Sequence, residues 1–509
     1  MEYKQEPQIK ESQLTSGRTI AKNTVFNLIG QVLPALIALA AIPLLVKGLG
    51  IEQFGILTLA WLVIGYFSLF DFGLGRAITH IVADLLGKNR QIEIPGYVWT
   101  ALIMLLLLGI MGTLIVVIIT PLLVERILKI PRDLQTETMI AFYLLALSIP
   151  MVINTAALRG VLEAQQRFDL VNLVRIPMGI FTYIGPLLIL PFTNNLSFVV
   201  AVLVFGRLIA WLAYLILVFF TMPILRKFTL LKRSAILPLA RFGGWMTISS
   251  IVGPLMIYLD RFLIGAFISA AAVAYYATPY EAATKLTLIP SALVGVLFPA
   301  FAVSYVQDRK RSIVLLERGV RVIFLILFPI TLVIVVLANE GMSLWLGQTF
   351  AQKSSLVLKL LVIGVLMNNL ASVPYTFVQG VGRPDIAAKL HLFELPLYLL
   401  LLWQLLPIYG IVGAAIAWTI RTTFDMIILY ILTFRLIRMD VVLVRRTALM
   451  IGIGMIVLLI ALFPFDLNIK VVLLIIGLIT FSIITWHILL LPYERVLAVS
   501  WIKKLQKTS

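Results

Sequence analysis

The sequence contains no cysteine, which excludes disulfide bonds, thiolate nucleophiles and cysteine-ligated metal sites. It has only three histidines (His80, His391 and His487), each on a different predicted element, so we expect no metal site. Charged residues make up 13% of the 509 residues and hydrophobic residues make up 61%. Soluble domains carry about 25% charged residues. The chain is therefore not an ordinary soluble protein.

Motifs of nucleotide chemistry and of glycosyl transfer are also missing. No G-x-x-x-x-G-K-[ST] loop is present to cradle phosphates, so we expect no ATP-driven pump domain. No Asp-x-Asp occurs, and the longest predicted outer loop, 121–138, is short for the display of catalytic groups. We expect no enzymatic activity and no cofactor. A membrane glycosyltransferase or polymerase is the less favoured alternative.

Long apolar stretches recur between residues 23 and 492 and are separated by short polar breaks. A membrane-spanning helix needs roughly 20 residues, and about fourteen stretches meet that length. Transmembrane β-strands would be about 10 residues long and would alternate in polarity, and no such pattern occurs. The sequence predicts an all-α polytopic membrane protein with about 14 transmembrane helices. A further amphipathic helix is predicted at the membrane interface, over 76–90.

The net charge of +18 follows the predicted membrane topology. Thirty of the 41 basic residues fall in one alternating set of loops, six fall in the opposite set and five lie within spans. Because basic loops stay in the cytoplasm, this bias predicts that both termini are cytoplasmic. The basic loops can also contact anionic membrane lipids. We expect no nucleic-acid partner.

An internal repeat divides the chain into similar halves. Gly160-Val161 and Phe168-Asp169 are echoed by Gly380-Val381 and Pro384-Asp385, and Arg207 is echoed by Arg421. The offsets cover six spans, so the repeat predicts two parallel six-helix lobes with the substrate path between them. The predicted organisation is a tail (1–22), an N-lobe (23–221), a basic linker (222–241), a C-lobe (242–434), two C-terminal helices (435–491) and a basic tail (492–509).

Some spans carry polar or charged side chains, which are costly at membrane depth and usually face a partner or a wet cavity. Asn23, Asn27 and Gln31 follow one face of the first helix, and packing between helices explains them about as well as substrate contact. The hairpin of helices 7 and 8, over 239–301, carries Asp260, Arg261, Glu281 and Lys285. Charges inside an apolar hairpin are typical of a transporter.

Three stretches of the chain carry a resemblance to a known family. They are NTVFNLIGQVLPALIALAAIPLLVKGLGIEQFGILTLA (23–60), YLDRFLIGAFISAAAVAYYATPYEAATKL (258–286) and LIPSALVGVLFPAF (288–301). The chain resembles the polysaccharide-transporter branch of the multidrug/oligosaccharidyl-lipid/polysaccharide flippase superfamily, which includes O-antigen flippases. The first helix carries amides rather than arginines, unlike the lipid II flippase branch.

The resemblance implies a flippase of the bacterial or archaeal plasma membrane. Its cargo would be a polyprenyl-diphosphate-linked oligosaccharide, moved to the outer leaflet by alternating access, and a polysaccharide polymerase would be a possible partner. The membrane-depth cations that can neutralise a diphosphate are Arg207, Arg261, Lys285 and Arg421. Candidate groups for proton or sodium coupling are Glu281, Glu394 and Asp425.

Each charged candidate also has a structural explanation. Glu281 and Lys285 are four residues apart in the favourable order for an internal pair, and Arg421 and Asp425 have the same spacing. Arg261 lies toward the predicted outer end of its helix and can extend to the membrane surface. A cation-coupled multidrug exporter of the same superfamily is the main alternative function, although it would favour carboxylates over cations in its cavity.

Overall fold

The computed structural model describes residues 17–69, 74–229, 253, 255–438 and 441–486. The helices within these ranges are α1 (Gly17–Leu49), α2 (Ile51–Leu69), α3 (Leu74–Gly87), α4 (Ile94–Leu122), α5 (Arg132–Ala164), α6 (Phe168–Ile189), α7 (Leu196–Thr221), α8 (255–267), α9 (Ala270–Thr284), α10 (Leu288–Gln307), α11 (Arg309–Val336), α12 (Ala338–Leu346), α13 (Gln348–Gly380), α14 (Pro384–Ile437), α15 (Val441–Ile460) and α16 (Leu467–Ile484).

The helices confirm the predicted all-α polytopic class. Most predicted spans correspond to a helix or to half of one, and α7 covers the span that hydropathy predicts at 196–221. The second helix of the predicted hairpin differs, because a 3-10 turn, Lys285–Thr287, divides it into α9 and α10. The basic residues of 304–321 predict a cytoplasmic linker before the ninth span. This prediction is wrong, because α10 and α11 are helical through that segment and break only at Asp308. The Asp308 side chain accepts backbone N–H bonds from Lys310 and Arg311, which caps α11. Most of the basic segment 222–241 and the C-terminal tail lie outside the described residues.

The apolar surface of these helices marks a protein that crosses the membrane several times. Within the described ranges, nine helical segments are long and apolar enough to span a bilayer. On α4, the exposed side chains include Leu107, Leu114 and Ile118, which is 74% exposed. Large apolar side chains in such rows are stable only against lipid or another apolar surface.

The chain divides into two compact units, and the boundary in the sequence falls between Thr278 and Pro279. The buried core of the first is built on α3, α4, α5 and α7, and the core of the second on α11, α13, α14 and α15. The predicted helix over 76–90 appears as α3, whose apolar side packs mainly on α5. By packing, α8 and the first half of α9 belong to the first unit, although the repeat assigns them to the C-lobe. The lobe boundaries stay a prediction.

The described helices also contain the repeat, with a spacing of 216 residues. Both α5 and α13 have 33 residues, and α6 and α14 begin at 168 and 384. Gln166 and Gly382, the residues before the arginine of each connecting turn, both have positive φ. In each turn the arginine then pairs with an aspartate two residues later, Arg167 with Asp169 and Arg383 with Asp385. The offset of 220 taken from Gly160 and Gly380 is therefore one helical turn too long.

Helix α14 is a hairpin of two antiparallel limbs, 384–409 and 411–437, which match the two spans that hydropathy predicts near 386–407 and 411–434. Its break is Gly410, with φ 59° and ψ −141°. This backbone region is open almost only to glycine. Just beyond it, a Cβ at Gly413 would lie 2.0 Å from the carbonyl oxygen of Leu405, so the limbs touch through their backbones. The tight turn sets which residues of the two limbs face each other.

Substitution of Gly410 with alanine is expected to destabilise the protein by about 1–3 kcal/mol, the usual cost of a strained non-glycine backbone. Thermal unfolding of the detergent-solubilised protein measures the change. Gly452→Ala is the matched control, because Gly452 has ordinary helical φ and an added Cβ meets nothing within 4 Å. Equal melting temperatures for the two variants would contradict the assignment of Gly410 as the hinge of α14.

Candidate functional site

A cluster of buried charged side chains lies between the two limbs of α14 in the second unit. His391 and Glu394 are three residues apart on the first limb, and Arg421 and Asp425 are four residues apart on the second. These spacings place each pair on one helix face. Because the chain reverses at Gly410, the two faces meet. We refer to these four residues as the α14 cluster.

Charges of opposite sign face each other in the α14 cluster. Arg421 Nη1 lies 3.8 Å from Glu394 Oε2, and His391 Nε2 lies 3.8 Å from Asp425 Oδ1. Glu394 is 1% exposed, Asp425 6% and Arg421 9%. The predicted pairing of Arg421 along its own helix is thus replaced by a pairing across the hairpin. Burying an ion pair costs desolvation free energy. Charges that a membrane helix keeps despite this cost are candidates for function.

Aromatic rings surround the arginine and the histidine. The guanidinium carbon of Arg421 lies 5.5 Å from the ring centre of Tyr398 and 5.9 Å from that of Trp418. The His391 ring stacks on Tyr375, with centres 6.0 Å apart. Cations are stabilised over ring faces, so these contacts hold Arg421 in place.

The acidic side of the α14 cluster has unused hydrogen-bond acceptors. Both carboxylate oxygens of Glu394 and Oδ1 of Asp425 lack a hydrogen-bond donor among the described residues. One ligand atom each from His391, Glu394 and Asp425 lie within 4.8 Å of one another. Two carboxylates and an imidazole in a dry site can hold a proton or a small metal cation. The His391 side chain is 22% exposed and is the most exposed of the four.

In the charged hairpin of helices 7 and 8, one of the structural explanations offered above is present and the other is not. Lys285 Nζ lies 3.0 Å from Glu281 Oε2, so the internal pair that the spacing suggested is present. The alternative that Arg261 extends to the surface is wrong, because Asp260 and Arg261 are 0% and 1% exposed. Asp260 accepts a hydrogen bond of 2.7 Å from the Tyr276 hydroxyl, and Arg261 lies 5.9 Å from the ring centre of Tyr258. These two charges are buried within the first unit.

The remaining predicted residues lie in the first unit, on α1 and α7. Arg207 is half-buried in the middle of α7, and no carboxylate lies within ion-pair distance of it in the described part of the chain. Its Nε also lacks a hydrogen bond there. Gln31 is half-buried on α1. Asn23 and Asn27 are helical, but their side chains lie outside the described set. Arg207 thus differs from its repeat counterpart Arg421, which faces a carboxylate.

Sequence reasoning missed His391, which was expected to be solitary and is the third member of a possible cation site. The positions of these residues relative to Gly410 contained the information needed to predict the cluster. A hairpin that turns at Gly410 brings Glu394 opposite Arg421 and His391 opposite Asp425. The aromatic neighbours Tyr375, Tyr398 and Trp418 had no such signal, because rings in apolar helices are usually core residues.

Solved structures show which class of protein has this fold. The chain superposes with a TM-score of 0.69 on the lipid II flippase MurJ in an inward closed conformation, at 12% identity over 91% of this chain and 99% of that one. It also superposes, with a TM-score of 0.65, on an inward-facing multidrug resistance MATE transporter of the MOP superfamily, at 15% identity over 82% and 94% of the two chains. The chain has the fold that these two membrane transporters share.

Sequence comparison identifies the family of the chain. Residues 20–304 match the model of the family described as polysaccharide biosynthesis protein. A protein of Shigella flexneri assigned as an O-antigen transporter is 32% identical over 414 residues, covering 81% of this chain and 97% of the relative. The chain belongs to the polysaccharide biosynthesis protein family. The predicted resemblance is confirmed.

Proposed function

We propose that the protein is a flippase for a polyprenyl-diphosphate-linked oligosaccharide, moving the repeat unit of a surface polysaccharide from the cytoplasmic to the outer leaflet of the plasma membrane. The observation that carries this proposal is the likeness to the Shigella O-antigen transporter along nearly that protein's whole length. The positive-inside bias supports cytoplasmic termini. A polymerase acting on the flipped product would be the partner in the same pathway.

The cargo sets the chemistry that the transporter must supply. A diphosphate cannot enter hydrocarbon unaided, so cationic side chains at membrane depth must replace its water. Arg207 and Arg421 are our first candidates, because each can present a guanidinium fork to a phosphate. Arg261 is buried in α8, and Lys285 is already paired with Glu281, so both have less capacity to bind cargo. Asn23, Asn27 and Gln31 are proposed to contact the sugar.

The α14 cluster is proposed to couple cargo movement to a cation. Glu394 and Asp425 would hold a proton or a sodium ion, with His391 beside Asp425 and Arg421 beside Glu394. An anionic cargo that approached Arg421 would compete with Glu394 for its charge. Cargo and coupling cation would therefore influence each other's binding through a single arginine. Glu281 is the weaker coupling candidate, because Lys285 neutralises it.

The test is the fate of the lipid-linked oligosaccharide in cells that lack the protein. Access of an impermeant sugar-modifying reagent to the intermediate in intact cells reports its leaflet. We expect the complete intermediate to accumulate and to stay inaccessible, and re-expression to restore access. The same assay in vesicles with the purified protein separates flipping from later steps.

Three other results would overturn the proposal. An accessible intermediate that is not polymerised would indicate a polymerase. An intermediate that is absent or incomplete would indicate a glycosyltransferase. Unchanged intermediates together with sensitivity to cationic drugs would indicate a multidrug exporter, which the fold also accommodates.

A further inference from the structure

The connection between α4 and α5 is hydrogen-bonded to the C-terminal end of α8. It begins as a π-helical turn, Leu123–Ile127, in which the N–H of Leu128 donates to the carbonyl of Leu123. The next residue, Lys129, makes two hydrogen bonds to the last turn of α8. Its backbone N–H donates to Gly265 O at 3.0 Å, and its Nζ donates to Phe267 O at 2.5 Å. A lysine at the carboxyl end of a helix satisfies its free carbonyls and its dipole.

A second contact lies on α2. Gly55 packs on the backbone of Ala270, the first residue of α9, so closely that a Cβ at position 55 would lie 1.9 Å from the Ala270 carbonyl oxygen. Beside it, Gly265 faces Leu128 and Val273, whose methyl groups would lie 3.1 and 3.3 Å from an added Cβ. We call the contacts of Lys129, Leu128 and Gly55 with 265–270 the docking contact.

A hydrogen bond joins the two helices of the α8–α9 hairpin, and the helical path beyond this bond contains a proline and a 3-10 turn. The Tyr276 hydroxyl on α9 donates to Asp260 on α8, so the two helices are joined by a buried hydrogen bond. Three residues later α9 contains Pro279, where packing passes from the first unit to the second. A 3-10 turn, Lys285–Thr287, then separates α9 from α10. Proline and 3-10 turns are common places for a helix to bend.

We propose that the docking contact is released and re-formed in each transport cycle, so that the α8–α9 hairpin leaves the first unit when the protein opens to the predicted outer side. This inference rests on the proposed function. Lys129 is exposed, so water can replace its two hydrogen bonds at little cost. The apolar side chain that this connection places against the end of α8 is Leu128. A permanent joint would instead bury its polar bonds.

Crosslinking provides the main test, and the chain has no cysteine of its own to remove. The double variant Leu128→Cys with Gly265→Cys places two thiols at the docking contact, and the shorter side chain at 128 makes room for the one at 265. We expect that crosslinking with a short thiol reagent lowers flipping by more than about tenfold. A cleavable reagent followed by reductant should restore flipping.

A control pair distinguishes locking from general damage. Thr113 Oγ1 donates to Ala146 O across the packed helices α4 and α5, so Thr113→Cys with Ala146→Cys crosslinks a joint that need not open. Crosslinking this pair should leave flipping unchanged. If the crosslinked 128–265 variant flips as fast as its reduced form, the docking contact is static and the inference is wrong. Absence of flipping in the wild-type protein would count against the proposed function instead.

A second variant tests the same inference without a crosslink. Lys129→Met removes the Nζ donor and keeps the length of the side chain, so a thiol placed at 265 should react faster with an impermeant maleimide. Arg126→Met is the matched control, because Arg126 is an exposed basic residue of the same connection. Equal labelling rates in the two variants would show that Lys129 does not hold the hairpin, and would overturn the inference.

Discussion

Replacement of Arg421 with alanine is expected to abolish export of the lipid-linked oligosaccharide while the protein still reaches the membrane. The change removes a proposed phosphate ligand and leaves Glu394, which is 1% exposed, without its cationic neighbour. Leaving one member of a buried pair uncompensated costs about 3–5 kcal/mol, although Glu394 can take up a proton and reduce this cost. The measurement is leaflet access of the intermediate in complemented deletion cells, normalised to protein abundance.

The double variant Arg421→Ala with Glu394→Ala separates the two roles of Arg421. If the arginine only balances Glu394, the double variant regains both abundance and export. If it binds the diphosphate, abundance recovers and export does not, and this second result is the one we expect. Arg126→Ala, an exposed arginine outside the α14 cluster, should be silent. Normal export by Arg421→Ala would remove Arg421 from the binding site.

Glu394→Gln is expected to uncouple flipping from its cation gradient. Glutamine has nearly the same shape but can neither release a proton nor balance a metal cation. In vesicles, an imposed proton or sodium gradient should accelerate flipping by the wild-type protein and have no effect on the variant, whose rate falls by more than about tenfold. Asp425→Asn should have the same two effects on flipping as Glu394→Gln. The two changes together should be no worse than either alone, because both empty one site.

Glu125→Gln is the control for this series, since Glu125 is exposed in the π-helical turn outside the α14 cluster. It should keep the full response to the gradient. A Glu394→Gln variant that still responds to the gradient would exclude the α14 cluster as the coupling site. The sodium and proton arms of the experiment also identify the coupling cation, which the donor set of two carboxylates and one imidazole leaves open.

Hydropathy was sufficient to predict most of the fold. The limits of α7 follow from a polar Asn195, which caps its first turn, and from the change to Pro223 and a basic segment beyond Thr221. The turns before α6 and α14 were visible as repeated aspartates at 169 and 385. In each case the signal is local, since it depends on residues within one helix or one turn.

Contacts between distant helices were not predictable in the same way. His391 and Asp425 are 34 positions apart, and their meeting depends on a reversal at one glycine. Lys129 gave no local signal either, because its acceptors are backbone carbonyls at 265 and 267, which every residue type has. The sequence did place Arg421 and Glu394 among the candidates, since each is a charge in an apolar span. It could not select the partner of each.

The position of the boundary between the two units, after Thr278, has a consequence for biogenesis. A membrane protein is synthesised from its N-terminus, and α8 and the start of α9 provide packing for helices made much earlier, including α2. The first unit is therefore incomplete when α7 has been inserted, and its packing is completed only after the α8–α9 hairpin has been synthesised. Two half-proteins divided between α7 and α8 would separate Gly55 and Lys129 from their partners, whereas a division after the hairpin would leave a self-contained first fragment.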